Sequence, residues 1–205
     1  MKIVELYNNG EASKFKMPTN WREVSIGQYS KLMLAIDKKD SNEMELMLRS
    51  LEALLDMSLT LLNKVPIKQL KAAYKELREL TASMPTNELS RVIEIDGVEY
   101  GLIPNFDELT IGEFVDLDNY LQEPYHNLIN IFTILYRPVL KRDGDKYIIE
   151  DYNIGTTFDR SKIFNANMSI ATVYGALVFF CNIGRSYMES TLSSLEIEME
   201  EMIKA

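Results

Sequence analysis

Cysteine occurs once in the 205 residues, at Cys181, and histidine once, at His126. One cysteine cannot close an internal disulfide, and one of each excludes a Cys/His zinc cluster. Glycine is sparse at nine residues, and none fall in a G-x-G-x-x-G or P-loop pattern that would cradle phosphate. Basic residues are outnumbered: 22 Lys and Arg stand against 31 Asp and Glu, for a net charge of −9. A duplex-binding protein neutralises phosphates with a cationic surplus, so the balance argues against nucleic acid as a main partner. Long apolar runs are missing too. The most apolar stretch, 169–184, falls short of the roughly 18–20 residues that cross a bilayer and reads as a buried core helix. Glu5 and Asn8 interrupt any secretory apolar core at the start. The expectation is therefore no membrane, no cofactor, and an address in a bacterial or host cytoplasm or inside a particle assembled there. Any catalytic chemistry would have to rest on carboxylates or hydroxyls.

What is present is a degenerate duplication. Trp21-x-Glu23-Val24-Ser25-Ile26-Gly27-Gln28-Tyr29 repeats as Phe106-x-Glu108-Leu109-Thr110-Ile111-Gly112-Glu113-Phe114. The offset is constant at 85, taken as 110 − 25 or 112 − 27. Ser25 and Thr110 are placed as helix N-caps, and Gln28 and Glu113 three residues on complete capping boxes. Val24 and Leu109 are placed to staple onto Tyr29 and Phe114, or their neighbours, one turn in. The motif specifies where two helices begin, and nothing in it requires catalysis.

Each copy follows a hairpin signal. Residues 2–7 and 12–17 flank Asn8-Asn9-Gly10, and 91–95 and 98–103 flank Asp96-Gly97, a strong hairpin dipeptide. Apolar spacing of i, i+3, i+4 then predicts helices over 26–37, with Tyr29, Leu32, Met33 and Ile36 on one face, and over 41–56. A third helix starts at Pro66, and a break follows at 81–90. In the second half, 111–121 carries Ile111, Phe114, Leu117 and Leu121, and 125–136 is apolar nearly all round. Arg137-Pro138 ends that helix, and 138–150 suggests a further hairpin around Asp143-Gly144-Asp145. A short helix near 159–164 and a long one from Met168 toward Ile203 complete the reading. The fold class is mainly α with short antiparallel β-hairpins (α+β), in two hairpin-plus-helix halves, 1–87 and 88–205, that pack together.

Glu108, Glu113, Asp116 and Asp118 cluster at the second cap. They read as complements to the helix dipole and a solvated face. A metal or general-acid site is the competing reading, and a melting temperature that moves with Mg²⁺, Mn²⁺ or Ca²⁺ would reveal it. Asp143-Gly144-Asp145 lacks calcium-loop spacing. His126 reads as a partly exposed helix-start residue, and Cys181 as a buried, inert one.

Two features point to protein partners. Methionine is abundant, at 11 residues, and its flexible side chain suits surfaces that accommodate varied partners as well as irregular core gaps. Met44 and Met47 are candidates for either role. In the tail, Met188, Leu192, Leu195, Met199 and Met202 step by 4, 3, 4 and 3, beside Glu189, Glu196, Glu198, Glu200 and Glu201. That acidic amphipathic segment suits docking into another subunit or a basic partner, or packing on its own domain. The partner-binding candidates are Met44, Met47, Met188, Leu192, Leu195 and Met199.

The run 18–29 (P-T-x-W-x-E-V-S-I-G-Q-Y), the stretch closing with Ala53-Leu54-Leu55-Asp56-Met57, and Val65-Pro66-Ile67-x-x-Leu70 resemble bacteriophage tail assembly chaperones and small structural proteins of tailed phages. The segments 103–118 and 134–139 resemble proteins of phages with Bacteroidetes-type hosts. The resemblance covers roughly 17–185. It implies virion morphogenesis without an active site, through binding of a tape-measure-like protein or another tail or head subunit, with homo-oligomerisation open. A permanent virion part (neck, connector, tail or internal cargo) is the alternative. The corresponding address is the host cytoplasm during assembly, or the virion.

Overall fold

The structure is a computed structural model that describes residues 1–8, 11–38, 42–86 and 88–182. Strands β1 (Lys2–Asn8) and β2 (Glu11–Met17) form an antiparallel pair from Lys2↔Met17 to Asn8↔Glu11. A 3-10 turn, Trp21–Glu23, leads into α1 (Ile26–Asp37), and α2 (Glu43–Leu55), α3 (Leu59–Leu62) and α4 (Ile67–Thr81) follow. Strands β3 (Val92–Ile95) and β4 (Val98–Leu102) make the second hairpin. Another 3-10 turn, Phe106–Glu108, precedes α5 (Ile111–Leu121) and α6 (Pro124–Leu135). Strands β5 (Tyr136–Asp143) and β6 (Lys146–Ile149) come next, then α7 (Ile154–Asn167). Residues 170–182 form α8 as far as the described chain extends. The fold is α+β: mainly helical, with a two-stranded sheet and an antiparallel four-stranded sheet in the order β3-β4-β5-β6.

Local chemistry accounts for the boundaries. Asp96 and Gly97 both have positive φ, 51° and 78°, as a two-residue primed turn requires. Helix α6 stops at Leu135, ahead of Arg137-Pro138, and passes into β5 without a loop. Pro138 lies inside a four-stranded sheet, next to a register shift between Val139 and Lys141, where a missing donor is tolerated. Helix α7 is longer than the 159–164 expected, because Asn153 caps it at the Gly155 amide, 2.8 Å away.

The duplication is realised in detail. Both capping boxes form, at Ser25/Gln28 and Thr110/Glu113. The likeness extends upstream: Asn20 and Asn105, also 85 apart, each cap the 3-10 turn before the helix. The two staples differ, however. Val24 and Tyr29 are buried, whereas Leu109 is only partly buried and Phe114 is 56% exposed.

The start of the C-terminal helix, expected near Met168, meets the start of α1 in a joint that the sequence pattern alone does not show. Met168-Ser169-Ile170 echoes Val24-Ser25-Ile26, and the two segments lie antiparallel. The Ile26 amide donates to the Met168 carbonyl at 3.0 Å, and the Ile170 amide to the Val24 carbonyl at 2.9 Å. Ser169 Oγ accepts from the Ala171 amide and donates to the Trp21 carbonyl. Two helix N-termini, each with unsatisfied amides, thus satisfy one another.

One contiguous hydrophobic core joins residues of both sequence halves, among them Leu32, Leu54 and Leu77 with Phe132, Phe164 and Val173. Ring contacts run from Trp21 to Tyr29 at 5.8 Å and from Tyr29 to Tyr174 at 6.3 Å. Helix α8 is buried on one side only: Ile170, Val173, Ala176, Leu177 and Phe180 face inward, while Phe179 and Cys181 are exposed. Its expected burial on all sides and the expected burial of Cys181 are thereby corrected. Among the described residues no helix is long and apolar enough to cross a membrane.

Candidate functional site: the outward face of α5

The side chains that anchor α5 are polar. Glu113 Oε2 accepts from the Thr110 amide at 2.7 Å and from its hydroxyl at 2.6 Å, closing the capping box. Its other oxygen, Oε1, lies 2.8 Å from Arg137 Nη2 on β5, and both side chains are almost fully buried. Asp116, one turn on, accepts from the Tyr152 hydroxyl. With Glu113 and Leu117 buried, the helix is rotated so that its apolar residues at i, i+3 and i+4 point away from the core. Ile111 is 79% exposed, Phe114 56% and Val115 47%. This reverses the expectation that Ile111 and Phe114 face inward. A burial-competent stripe left open to solvent at the end of an ordered capping motif is an informative exposure, unlike a single surface leucine.

The surroundings extend the apolar character. The Tyr152 ring lies close to Gly112, where an added Cβ would sit 3.8 Å from it. Burial and the bond to Asp116 hold its phenol well above the ordinary tyrosine range. Two residues beyond Tyr152, α7 begins with the exposed Ile154, and Phe158 follows one turn later. Lys162 places its ammonium 4.1 Å from the Phe158 ring centroid, a cation–π contact.

Behind α5 lies a buried ionic cluster. Arg160 donates to the Thr133 carbonyl at 2.8 Å and pairs with Glu150. Burial pulls its pKa below the usual arginine value; the Glu150 carboxylate opposes that shift, and the Arg137 cation adds to it. Arg137 Nε is buried without a hydrogen-bond partner. These groups fix α5, β5 and α7 against each other.

The other sequence candidates are dispersed. Glu108 and Asp118 are exposed, apart from the roles of Glu113 and Asp116. Among the described residues no three His, Cys, Asp or Glu side chains are grouped to hold a metal. His126 is exposed in the first turn of α6. Ser25 and Gln28 line a groove of about 530 Å³ between the start of α1 and the end of α7, beside Arg22, Lys31 and Asn165. Met44 is 41% exposed on α2, but Met47 is buried at 4%. Met47 sits on the inward side of α2 with Leu51 and Leu54 and packs in the core, the second of the two roles open to it. Met188, Leu192, Leu195 and Met199 lie outside the described residues.

Sequence reasoning missed the α5 face because an apolar stripe on a capped helix reads as core-facing. The one available signal was the acidic box residue: a Glu at that position is turned inward only if a buried cation awaits it, and Arg137 follows on β5. No protein-family model matches the chain, and no curated protein and no solved structure is detectably similar to it.

Proposed function

We propose that this chain is a non-enzymatic morphogenesis protein of tailed phages, of the tail-assembly-chaperone kind, and that it holds an apolar helix of an assembling subunit against the outward face of α5. The observation that carries the reading is the exposure of Ile111, Phe114 and Val115 on a helix whose inward side is fixed by Glu113 and Leu117. An amphipathic client helix docks in such a site through anchors at i, i+3, i+4 and i+7. The sequence resemblance supplies the phage setting and points to a tape-measure-like protein or another tail or head subunit as client. A non-enzymatic role is favoured by how the carboxylates of this region are engaged: Glu113 in the cap and the Arg137 pair, Asp116 with Tyr152.

The test is a photo-crosslinking amino acid at Val115 in cells infected with the source phage, with quantitative mass spectrometry of lysate and purified particles. A chaperone crosslinks to one virion subunit in the lysate and is missing from finished particles. A fixed copy number per particle replaces this reading with that of a permanent structural component. No crosslink to any phage protein removes the α5 face from consideration.

A further inference from the structure

The solvent side of α4 carries Lys68, Lys71, Lys75 and Arg78, with Lys64 just ahead of the helix, so the five cations step by 4, 3, 4 and 3. At about 100° per residue these positions fall on one narrow stripe, opposite the buried Leu70, Ala73, Leu77 and Leu80. All five are exposed, and none forms an ion pair among the described residues. Of the acids on α4, Glu76 is turned away, to Lys2 at 2.8 Å, and Glu79, one turn past Lys75 at the edge of the stripe, makes no ion pair among the described residues.

Local energetics oppose this arrangement. Like charges three and four residues apart repel one another along a helix. Lys68 and Lys71 also lie toward the N-terminal end, where the helix dipole favours anions, and α4 has neither an acid in its first turn nor a side-chain cap. A face needed only for solubility would be served better by mixed signs, above all in a chain of net charge −9. The stripe is electrostatically unsatisfied within the described molecule and calls for an anionic partner.

The same sequence contains one of matching length. Glu189, Glu196, Glu198, Glu200 and Glu201 fall beyond the described chain, on a segment whose apolar residues also step by 4, 3, 4 and 3. The geometry points to a second copy as its source. At its N-terminal end α8 touches Trp21, through Ser169, and Trp21 in turn donates to the Ser83 carbonyl just past α4. From there α8 runs about 20 Å at 1.5 Å per residue, and it ends with Phe179 and Phe180 against Phe106, on the α5 side. The described chain thus ends about 20 Å along α8 from the end that lies near Ser83, and the acidic segment follows it in the sequence. We propose that the cationic stripe of α4 receives the acidic C-terminal segment, 189–201, of a second copy, giving a head-to-tail contact. Such a heterologous contact closes into a ring or continues as a filament according to its rotation.

Sedimentation velocity of the full chain over a concentration series, at low salt and at about 0.5 M salt, tests this, because exposed charge pairs are screened at the higher ionic strength. The expected result is self-association at low salt that weakens at least about tenfold in high salt. The triple variant Lys68→Glu/Lys71→Glu/Lys75→Glu and the triple variant Glu196→Lys/Glu198→Lys/Glu200→Lys should each be monomeric, with helix content unchanged by circular dichroism. Mixing the two, which restores opposite charges at both contacts, should recover large species. A wild-type chain that stays monomeric, including one whose tail folds back on its own α4, overturns the proposal. So does association that neither reversal weakens. A stripe that instead shifts a labelled nucleic acid, without self-association, assigns it to a different partner and equally overturns the proposal.

Discussion

Gln28 and Glu113 occupy the same place in two capping boxes but direct their remaining polar atom to opposite kinds of partner. Gln28 has a donor left, and its Nε2 reaches the Leu54 carbonyl near the end of α2 at 3.2 Å. Glu113 has an acceptor left and takes the Arg137 guanidinium. The amide-for-acid difference between the repeats is thus set by whether a carbonyl or a cation waits inside. Ser25→Ala and Thr110→Ala should each cost about 0.5–2 kcal/mol, the usual range for a lost N-cap. Glu113→Gln keeps an oxygen for the Thr110 amide but turns a donor toward Arg137 and leaves a buried cation uncompensated, so it should cost about 3–5 kcal/mol. Urea denaturation of the three variants checks the ordering, and a Glu113→Gln no worse than Thr110→Ala would mean that Arg137 finds another counter-charge. The caps were legible because they are local: a hydroxyl and an acid or amide three residues apart. The Arg137 pairing was not, since all of α6 intervenes between the two residues.

Among the elements, the hairpins and most helices follow from turn dipeptides, caps and apolar spacing, which act within one or two turns of chain. The joint between Val24–Ile26 and Met168–Ile170 depends on two distant segments meeting, and only the short Ser-Ile echo hinted at it. Glycines show the same divide. Gly112 and Gly27 are equivalent in the repeat, yet a Cβ on Gly27 would lie 2.2 Å from Asn165 Oδ1, while one on Gly112 meets nothing closer than 3.8 Å. Gly112→Ala should therefore stabilise by about 0.4–1 kcal/mol by restricting the unfolded chain, and Gly27→Ala should gain less or lose. Gly101 is the stricter case: its Cβ would fall 2.5 Å from the Tyr147 ring, which crosses β4 to donate to the Leu102 carbonyl at 2.7 Å. Gly101→Ala should destabilise by about 1–3 kcal/mol through overpacking. Thermal melts of the three alanine variants separate these cases, and a neutral Gly101→Ala would show that the Tyr147 ring can leave its place on the strand without loss.

For the molecule as a whole, one shared core means that surface and interior can be distinguished by substitution. Phe114 is where the two readings of α5 part. If the helix faced inward as its apolar pattern suggests, Phe114→Glu would bury a charge, a change in the class of severe destabilisation. With Phe114 outward, the same change should alter stability by no more than about 0.5 kcal/mol, while Leu117→Glu on the opposite side unfolds the domain. Phe114→Glu should also abolish crosslinking from Val115 to any client, because a charge at the middle of an apolar contact leaves the partner helix without its anchor. Calorimetry together with the crosslinking assay reads both effects on one variant. A large loss of melting temperature in Phe114→Glu would place the ring in the core and remove the docking face. An unchanged melting temperature with unchanged crosslinking would keep the client at this face but show that Phe114 is not its anchor. The remaining result, intact stability with lost capture, is expected when the ionic anchor at Glu113 and Arg137 turns an apolar stripe outward for a partner.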